Sequence, residues 1–260
     1  MEVIIEDTME KASRMAARYI AKEIRKKPDA ALGLSTGRSP RFLYRELGRM
    51  HKEEDLDFSR VKVFNVDEYV GIEPEHPASS YFYFNEYLFS SVNISASNIR
   101  FLDSTNKDIV KACSDYEKAI AEAGGIDIQV LGVGSVGHIA YNEPTSSFGS
   151  RTRIKTLTEV TRRDIAPLFK DRDEVPKYAV TMGIGTIMDA RSVVMLAFGK
   201  EKADIVAKMV EGAVTSMVPA SVLQFHRSVK VFLDEDAASR LTLVPYYKAA
   251  FESKPESERF

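Results

Sequence analysis

Six short apolar runs constrain this chain more than any other feature: residues 30–35 (AALGLS), 61–66 (VKVFNV), 126–133 (IDIQVLGV), 178–184 (YAVTMGI), 192–198 (SVVMLAF) and 229–233 (VKVFL). Each is separated from the next by a stretch that reads as helix, and each is apolar throughout instead of at every second position. A strand with one wet face alternates, whereas a strand covered on both faces does not. The pattern predicts an α/β fold built on a parallel sheet with helices on both faces. Ahead of the first run, Asp7 and Glu10 form a capping-box pattern before Met15, Ala16, Tyr19, Ile20 and Ile24 at helical spacing, so the chain is expected to open on an amphipathic helix. No repeat, low-complexity tract or linker divides residues 1–260, which are read as a single domain with only the tail FESKPESERF loosely held.

Charge and cysteine content narrow the partners. A net charge of -2 gathers neither nucleic acid nor an anionic membrane. The single cysteine, Cys113, has no internal disulfide partner, and no Cys/His cluster has zinc-ligand spacing, so no zinc site is expected. The acidic start MEVIIEDTME is unlike a signal peptide, and no apolar run is long enough to span a bilayer. A cytoplasmic protein is the expectation.

In a parallel sheet the ligand lies beyond the carboxyl ends of the strands, and four loops there carry chemistry. In LGLSTGRSP a strand breaks at Ser35, Thr36, Gly37 and Arg38, and a helix starts with Ser39 as N-cap and Pro40 at its first position. Free backbone N–H groups, two hydroxyls and one cation there suit a phosphate, although an ordinary strand-to-helix turn has the same look. In FNVDEYVG, Asp67 and Glu68 follow a strand directly. One carboxylate can serve as a general base while hydrogen bonds hold the other, and the competing reading of Asp67 is the N-cap of a turn.

The third loop, LGVGSVGHIAYNEP, sets His138 and Glu143 on a glycine-rich turn where the acid can fix the imidazole tautomer and raise its basicity. His51, His76 and His226 have no such context. In the fourth, FGKEKADIV, Lys200 and Lys202 occupy a first helical turn, where cations oppose the helix dipole and an anion would relieve them. Lys200 also reads as a solvated surface residue.

These loops, with GHIAYNEPTSSFGSRTRIKTLT, VPKYAVTMGIGTIMDA and MVEGAVTSMVPASVLQFH, closely resemble the glucosamine-6-phosphate deaminase/isomerase family almost end to end. The resemblance implies a Rossmann-like fold and conversion of glucosamine 6-phosphate and water to fructose 6-phosphate and ammonia without metal or redox cofactor. It implies that His138, oriented by Glu143, opens the pyranose ring, that Asp67 moves a proton from C2 to C1, and that Thr36, Gly37, Arg38, Ser39 and Lys202 hold the phosphate. It also implies a homo-oligomer with an allosteric anion site for N-acetylglucosamine 6-phosphate at Ser146, Arg153 and Lys155. Arg151, Arg153 and Lys155 alternate in a strand-like stretch and are expected to share one face; a solvated basic edge strand is the other reading.

Two departures stand out. Val136 occupies a place where similar enzymes carry Asp or Asn, and Ile165, Pro167 and Leu168 stand where Asn, Arg and Phe are expected. Both losses are expected to fall in one pocket and to impair or retune it. A non-catalytic sugar-phosphate sensor and a sugar-phosphate lactone hydrolase are the alternatives on the same fold.

Overall fold

The computed structural model describes residues 1–255. In chain order the elements are β1 (Glu2–Glu6), α1 (Met9–Lys26), β2 (Ala31–Leu34), α2 (Pro40–Glu53), β3 (Lys62–Asn65), β4 (Asp67–Tyr69), α3 (Ser80–Tyr87), β5 (Ile99–Arg100), α4 (Ile109–Glu122) and β6 (Ile128–Gly132). They continue with β7 (Arg153–Thr156), α5 (Glu159–Ile165), β8 (Tyr178–Thr181), α6 (Ile184–Met188), β9 (Ser192–Ala197), α7 (Ala203–Val210), β10 (Val229–Asp234), α8 (Glu235–Ala238) and α9 (Val244–Glu252). Among the described residues no helix is long and apolar enough to cross a membrane.

The main sheet has the order β1-β10-β9-β6-β2-β3-β5 and is parallel throughout. Its central strands are buried on both faces, as their unbroken apolarity requires. In β9, Val193 and Met195 point into a core closed by Ile205 and Met209 of α7, while Val194 and Leu196 point into the opposite core with Ile20 of α1 and Leu47 of α2. This is a Rossmann-like α/β fold with helices on both faces. Strand order reverses between β2 and β6, the point at which loops part and leave a crevice.

Several expectations are corrected. The chain opens on a strand, β1, which pairs in parallel with β10 at the sheet edge before α1 begins. A five-residue edge strand with glutamates at both ends offers too little pattern to be seen beside the helix that follows it. The cap of α1 is Thr8, whose hydroxyl accepts from the Lys11 N–H, while Asp7 instead pairs with the Lys11 ammonium. The run 178–184 supplies β8, and β8 is not in the parallel sheet. It runs antiparallel between β4 and β7 in a separate three-stranded sheet, because apolar content marks burial and carries no information on direction. The tail expected to be loose starts inside α9, and residues 256–260 lie outside the described residues.

Candidate active site

The crevice at the switch point opens into a cleft of about 570 Å³ whose walls include Thr36, Gly37, Arg38, Ser39, Asp67, His138 and Lys202. Residues from all four loops and both sheets therefore meet there.

Asp67 enters through β4, which leaves the end of β3 and crosses to the small sheet. The buried Asn65 fixes that crossing: its amide donates to the Asp67 carbonyl at 2.8 Å and its carbonyl oxygen accepts from Leu102 N–H at 2.8 Å. Because side chains alternate along a strand, Asp67 and Tyr69 face the cleft while Glu68 points away. Glu68 accepts from the N–H groups of Tyr69 at 2.9 Å and Ser80 at 2.8 Å. Asp67 lies in a strand and caps nothing, which removes the turn reading. Among the described residues its carboxylate receives no hydrogen bond, and burial, with the neighbouring Glu68 charge behind it, pushes its pKa up to about 8. Burial likewise raises Glu68 to about 7 against the pull of its N–H donors. The Ser80 hydroxyl donates to the Asp67 carbonyl at 2.8 Å, and farther along α3 the Tyr83 hydroxyl donates to the Gly37 carbonyl at 2.7 Å.

The loop after β6 brings His138 to the opposite wall. Only glycine fits at two positions: a Cβ on Gly134 would lie 2.0 Å from His138 Nε2, and Gly137, at φ +85°, would meet Ile205 and Val218 at 2.9 Å. The imidazole is thus folded over its own loop with Nδ1 turned to Glu143 Oε2 at 3.5 Å. The other Glu143 oxygen accepts from the Thr158 N–H at 3.0 Å. Burial acts to raise the Glu143 pKa, but the His138 interaction and hydrogen bonds from the Thr161 and Thr158 side override it and hold the group at about 2. Ala140 and Thr145 flank this pair at φ +49° and +73°, conformations that L-residues adopt only at a cost. The other histidines are structural: His51 and His226 bond to the Leu56 and Ala190 carbonyls, and His76 stacks on Phe169.

The cations gather on one side. Arg38 follows Gly37, which adopts φ +117°, and α2 starts at Pro40 as expected; Ser39, however, is itself helical and its side chain makes no capping bond. Lys202 belongs to a 3-10 turn, Lys200–Lys202, ahead of α7, and its ammonium donates to the Val133 carbonyl at 2.9 Å. Burial lowers its pKa while Glu201 and Asp164 oppose that shift. Lys200 is exposed and outside the cleft wall. Sequence reasoning missed Arg41, Tyr69, Tyr141 and Asp164, all of which line the cleft. Asp164 accepts from the Ser135 hydroxyl at 2.7 Å.

The two departures meet this cleft only in part: Ile165 and Leu168, from the second, line it. Ser135 and Gly134 form the wall beside Val136, and Asp164, Ile165 and Leu168 form it around an exposed Pro167; neither Val136 nor Pro167 belongs to it. The proposed anion residues also separate. Arg151 is consumed by Glu117 and Asp189, and the buried Ser146 hydroxyl donates inward to the Glu143 carbonyl at 2.7 Å. Arg153 and Lys155 share a face of the edge strand β7, and Arg153 donates to Asn142 Oδ1 at 2.9 Å with no carboxylate partner among the described residues.

A family model described as glucosamine-6-phosphate isomerases/6-phosphogluconolactonase matches residues 5–232. The chain belongs to this family. The glucosamine-6-phosphate deaminase of Arthrobacter sp. (strain FB24) is 49% identical over 255 residues, covering 98% of each chain. A solved structure described as a monomeric glucosamine-6-phosphate deaminase aligns with a TM-score of 0.90 at 42% identity, covering 92% of this chain and 100% of that one. The 6-phosphogluconolactonase of Trypanosoma brucei aligns at 0.75 with 21% identity, covering 93% of this chain and 98% of that one, and so shares the fold of this isomerase/lactonase family member.

Proposed function

We propose that this chain converts glucosamine 6-phosphate and water to fructose 6-phosphate and ammonia. One observation carries the reading: a buried, unbonded carboxylate with a pKa of about 8 shares a cleft with a histidine held against a carboxylate that stays ionised at any neutral pH. The first group suits the removal of a proton from carbon, which needs a base stronger than an ordinary carboxylate; the second suits proton exchange at an oxygen.

In this reading His138 takes the proton of the anomeric hydroxyl and delivers one to the ring oxygen as the C1–O5 bond breaks, with Glu143 orienting the imidazole. Asp67 then takes the C2 proton and returns it to C1 while a proton passes from the nitrogen to O1, leaving an imine at C2 that water hydrolyses to ketose and ammonia. Thr36, Gly37, Arg38, Ser39 and Lys202 hold the phosphate. Ammonia release from glucosamine 6-phosphate, measured beside binding of the same sugar, tests the assignment: binding without release refutes it. Val136 and Pro167 stand outside the cleft wall, which supports a working site, while Ile165 and Leu168 within it make that wall less polar.

Three finer points belong to the same proposal. The cytoplasm is its place, in keeping with the lone, buried Cys113. Arg153, half-buried and without a carboxylate, supports an anion site with Lys155 beside the catalytic loop, where Asn142 links it to Glu143; Ser146 enters only through its bond to the loop backbone. N-acetylglucosamine 6-phosphate should bind there with an affinity that Arg153→Ala weakens and Asp67→Asn does not. A homo-oligomer would accompany that site, and sedimentation with and without the ligand measures it.

A further inference from the structure

Asp67 and Tyr69 lie two residues apart on one face of β4, and both line the cleft. Across it Tyr141, three residues beyond His138, lines the same wall with its ring centroid 6.1 Å from the imidazole. The two tyrosines meet: Tyr141 donates its hydroxyl proton to the Tyr69 oxygen at 2.6 Å, with ring centroids 5.5 Å apart. The direction of that bond matters. Tyr69 accepts from Tyr141, so its own proton is directed elsewhere, and among the described residues nothing accepts it. Tyr69 is only 7% exposed, and the surface it keeps is on the cleft. A buried hydroxyl proton without an acceptor is a cost in the empty protein, recovered when a ligand oxygen arrives.

The chemistry proposed for this cleft produces such an oxygen. When Asp67 takes the C2 proton, the C–H electron pair becomes the C1–C2 double bond and the carbonyl pair of C1 moves onto O1, which gains negative charge. A donor aimed at that oxygen in a site shielded from water lowers the barrier more than any contact made equally well with the ground state. Resting on the deaminase reading, we propose that the Tyr69 hydroxyl hydrogen-bonds the substrate oxygen on which charge develops during proton transfer by Asp67, which makes Tyr69 a catalytic residue and Tyr141 the residue that positions and polarises it. Tyr69 keeps its proton throughout; the bond it accepts from Tyr141 draws density from its oxygen and strengthens the bond it gives.

The test uses the full chain and the variants Tyr69→Phe, Tyr141→Phe and the double change. Tyr69→Phe should lower kcat about a hundredfold, the scale for loss of one oxyanion donor, with KM for glucosamine 6-phosphate within about threefold. Tyr141→Phe should cost about tenfold, and the double variant no more than Tyr69→Phe alone, because Tyr141 acts only through Tyr69. The double variant also removes the buried hydroxyl that Tyr69→Phe leaves unpartnered, so a melting curve separates misfolding from lost chemistry. A phosphorylated aldonohydroxamate, which carries an anionic oxygen where the intermediate would, should bind the Tyr69→Phe protein at least about tenfold more weakly, while the phosphorylated polyol lacking that charge binds both proteins alike. Equal hydroxamate affinity, or additive losses in the double variant, overturns the proposal. Ammonia release by the unaltered protein tests the underlying reading separately, and the hydroxamate arm reports on Tyr69 whatever that assay gives.

Discussion

Asp67, in the cleft wall, and Glu143, beside the His138 imidazole that lines it, are both buried carboxylates, and they are driven in opposite directions. At β4 the Asp67 carboxylate is buried with no hydrogen bond among the described residues and a second acid beside it, so its pKa rises to about 8. In the loop after β6, Glu143 takes a backbone N–H and faces an imidazole, so its pKa falls to about 2. Burial is common to both; what differs is whether donors were supplied with it. Withholding them makes a base, and supplying them makes a fixed charge.

The sharpest way to break that contrast is Asp67→Asn. Loss of the base should lower kcat about a thousandfold with sugar-phosphate binding retained, and turnover within tenfold of the unaltered protein refutes its role. The same variant reads the raised pKa through stability. A group whose pKa rises on folding favours the fold below its unfolded value, near 4, and loses that contribution as pH climbs through about 8. Asp67→Asn should therefore melt like the unaltered protein near pH 4 and higher than it above pH 8. The rising limb of kcat/KM should fall near pH 8, and Glu68→Gln should move it to lower pH by removing the neighbouring charge while leaving the effect of burial.

Glu143→Gln should cost about a hundredfold in kcat, since the imidazole keeps its place but loses the charge that stabilises its protonated form. Here the sign of the stability effect reverses. A depressed pKa contributes stability above the unfolded value, near 4, and that contribution is lost as pH falls through about 2. The variant should melt below the unaltered protein at pH 7, with the gap closing as the pH approaches 2.

A smaller effect is expected from Arg41, whose guanidinium stacks 5.2 Å above Tyr87 with its buried Nε unpartnered. The α5 wall presents Asp164 to the cleft, and Arg41 of α2 adds its charge to those of Arg38 and Lys202. Arg41→Met should raise KM for the sugar phosphate about tenfold with kcat unchanged, the scale of one charged hydrogen bond; an unchanged KM takes Arg41 out of phosphate binding. The smallest effect belongs to Val136→Asp, which should alter kcat less than about threefold, because the side chain lies off the cleft wall; a gain of tenfold would show that the loop rearranges to use it.

Much of this was legible in the sequence because strands read as strands and loops after strands collect chemistry. Asp67, His138 and Glu143 were found from residue type and position alone, and the helices on both faces follow from strands apolar at every position. What the sequence hid was relational. Tyr69 stands inside the motif FNVDEYVG, but its partner Tyr141 lies 72 residues away, and no local pattern joins them. The direction of β8 depends on which strands flank it, and the fate of Ser39 on whether its backbone turned helical one residue early. Val136, Ile165, Pro167 and Leu168 drew attention as departures from a pattern, and only geometry shows that Ile165 and Leu168 line the cleft while Val136 and Pro167 do not.

Helix α3 spans eight residues and touches both ends of the reaction. Its first residue grips the strand that carries Asp67, the proposed base, and the Tyr83 hydroxyl grips the Gly37 turn proposed to meet the phosphate. A rigid rod of that length transmits displacement without spring. Where the tail of the sugar settles, the base is set to the same gauge, and a sugar without its phosphate would leave the base as idle as a caliper with one jaw open.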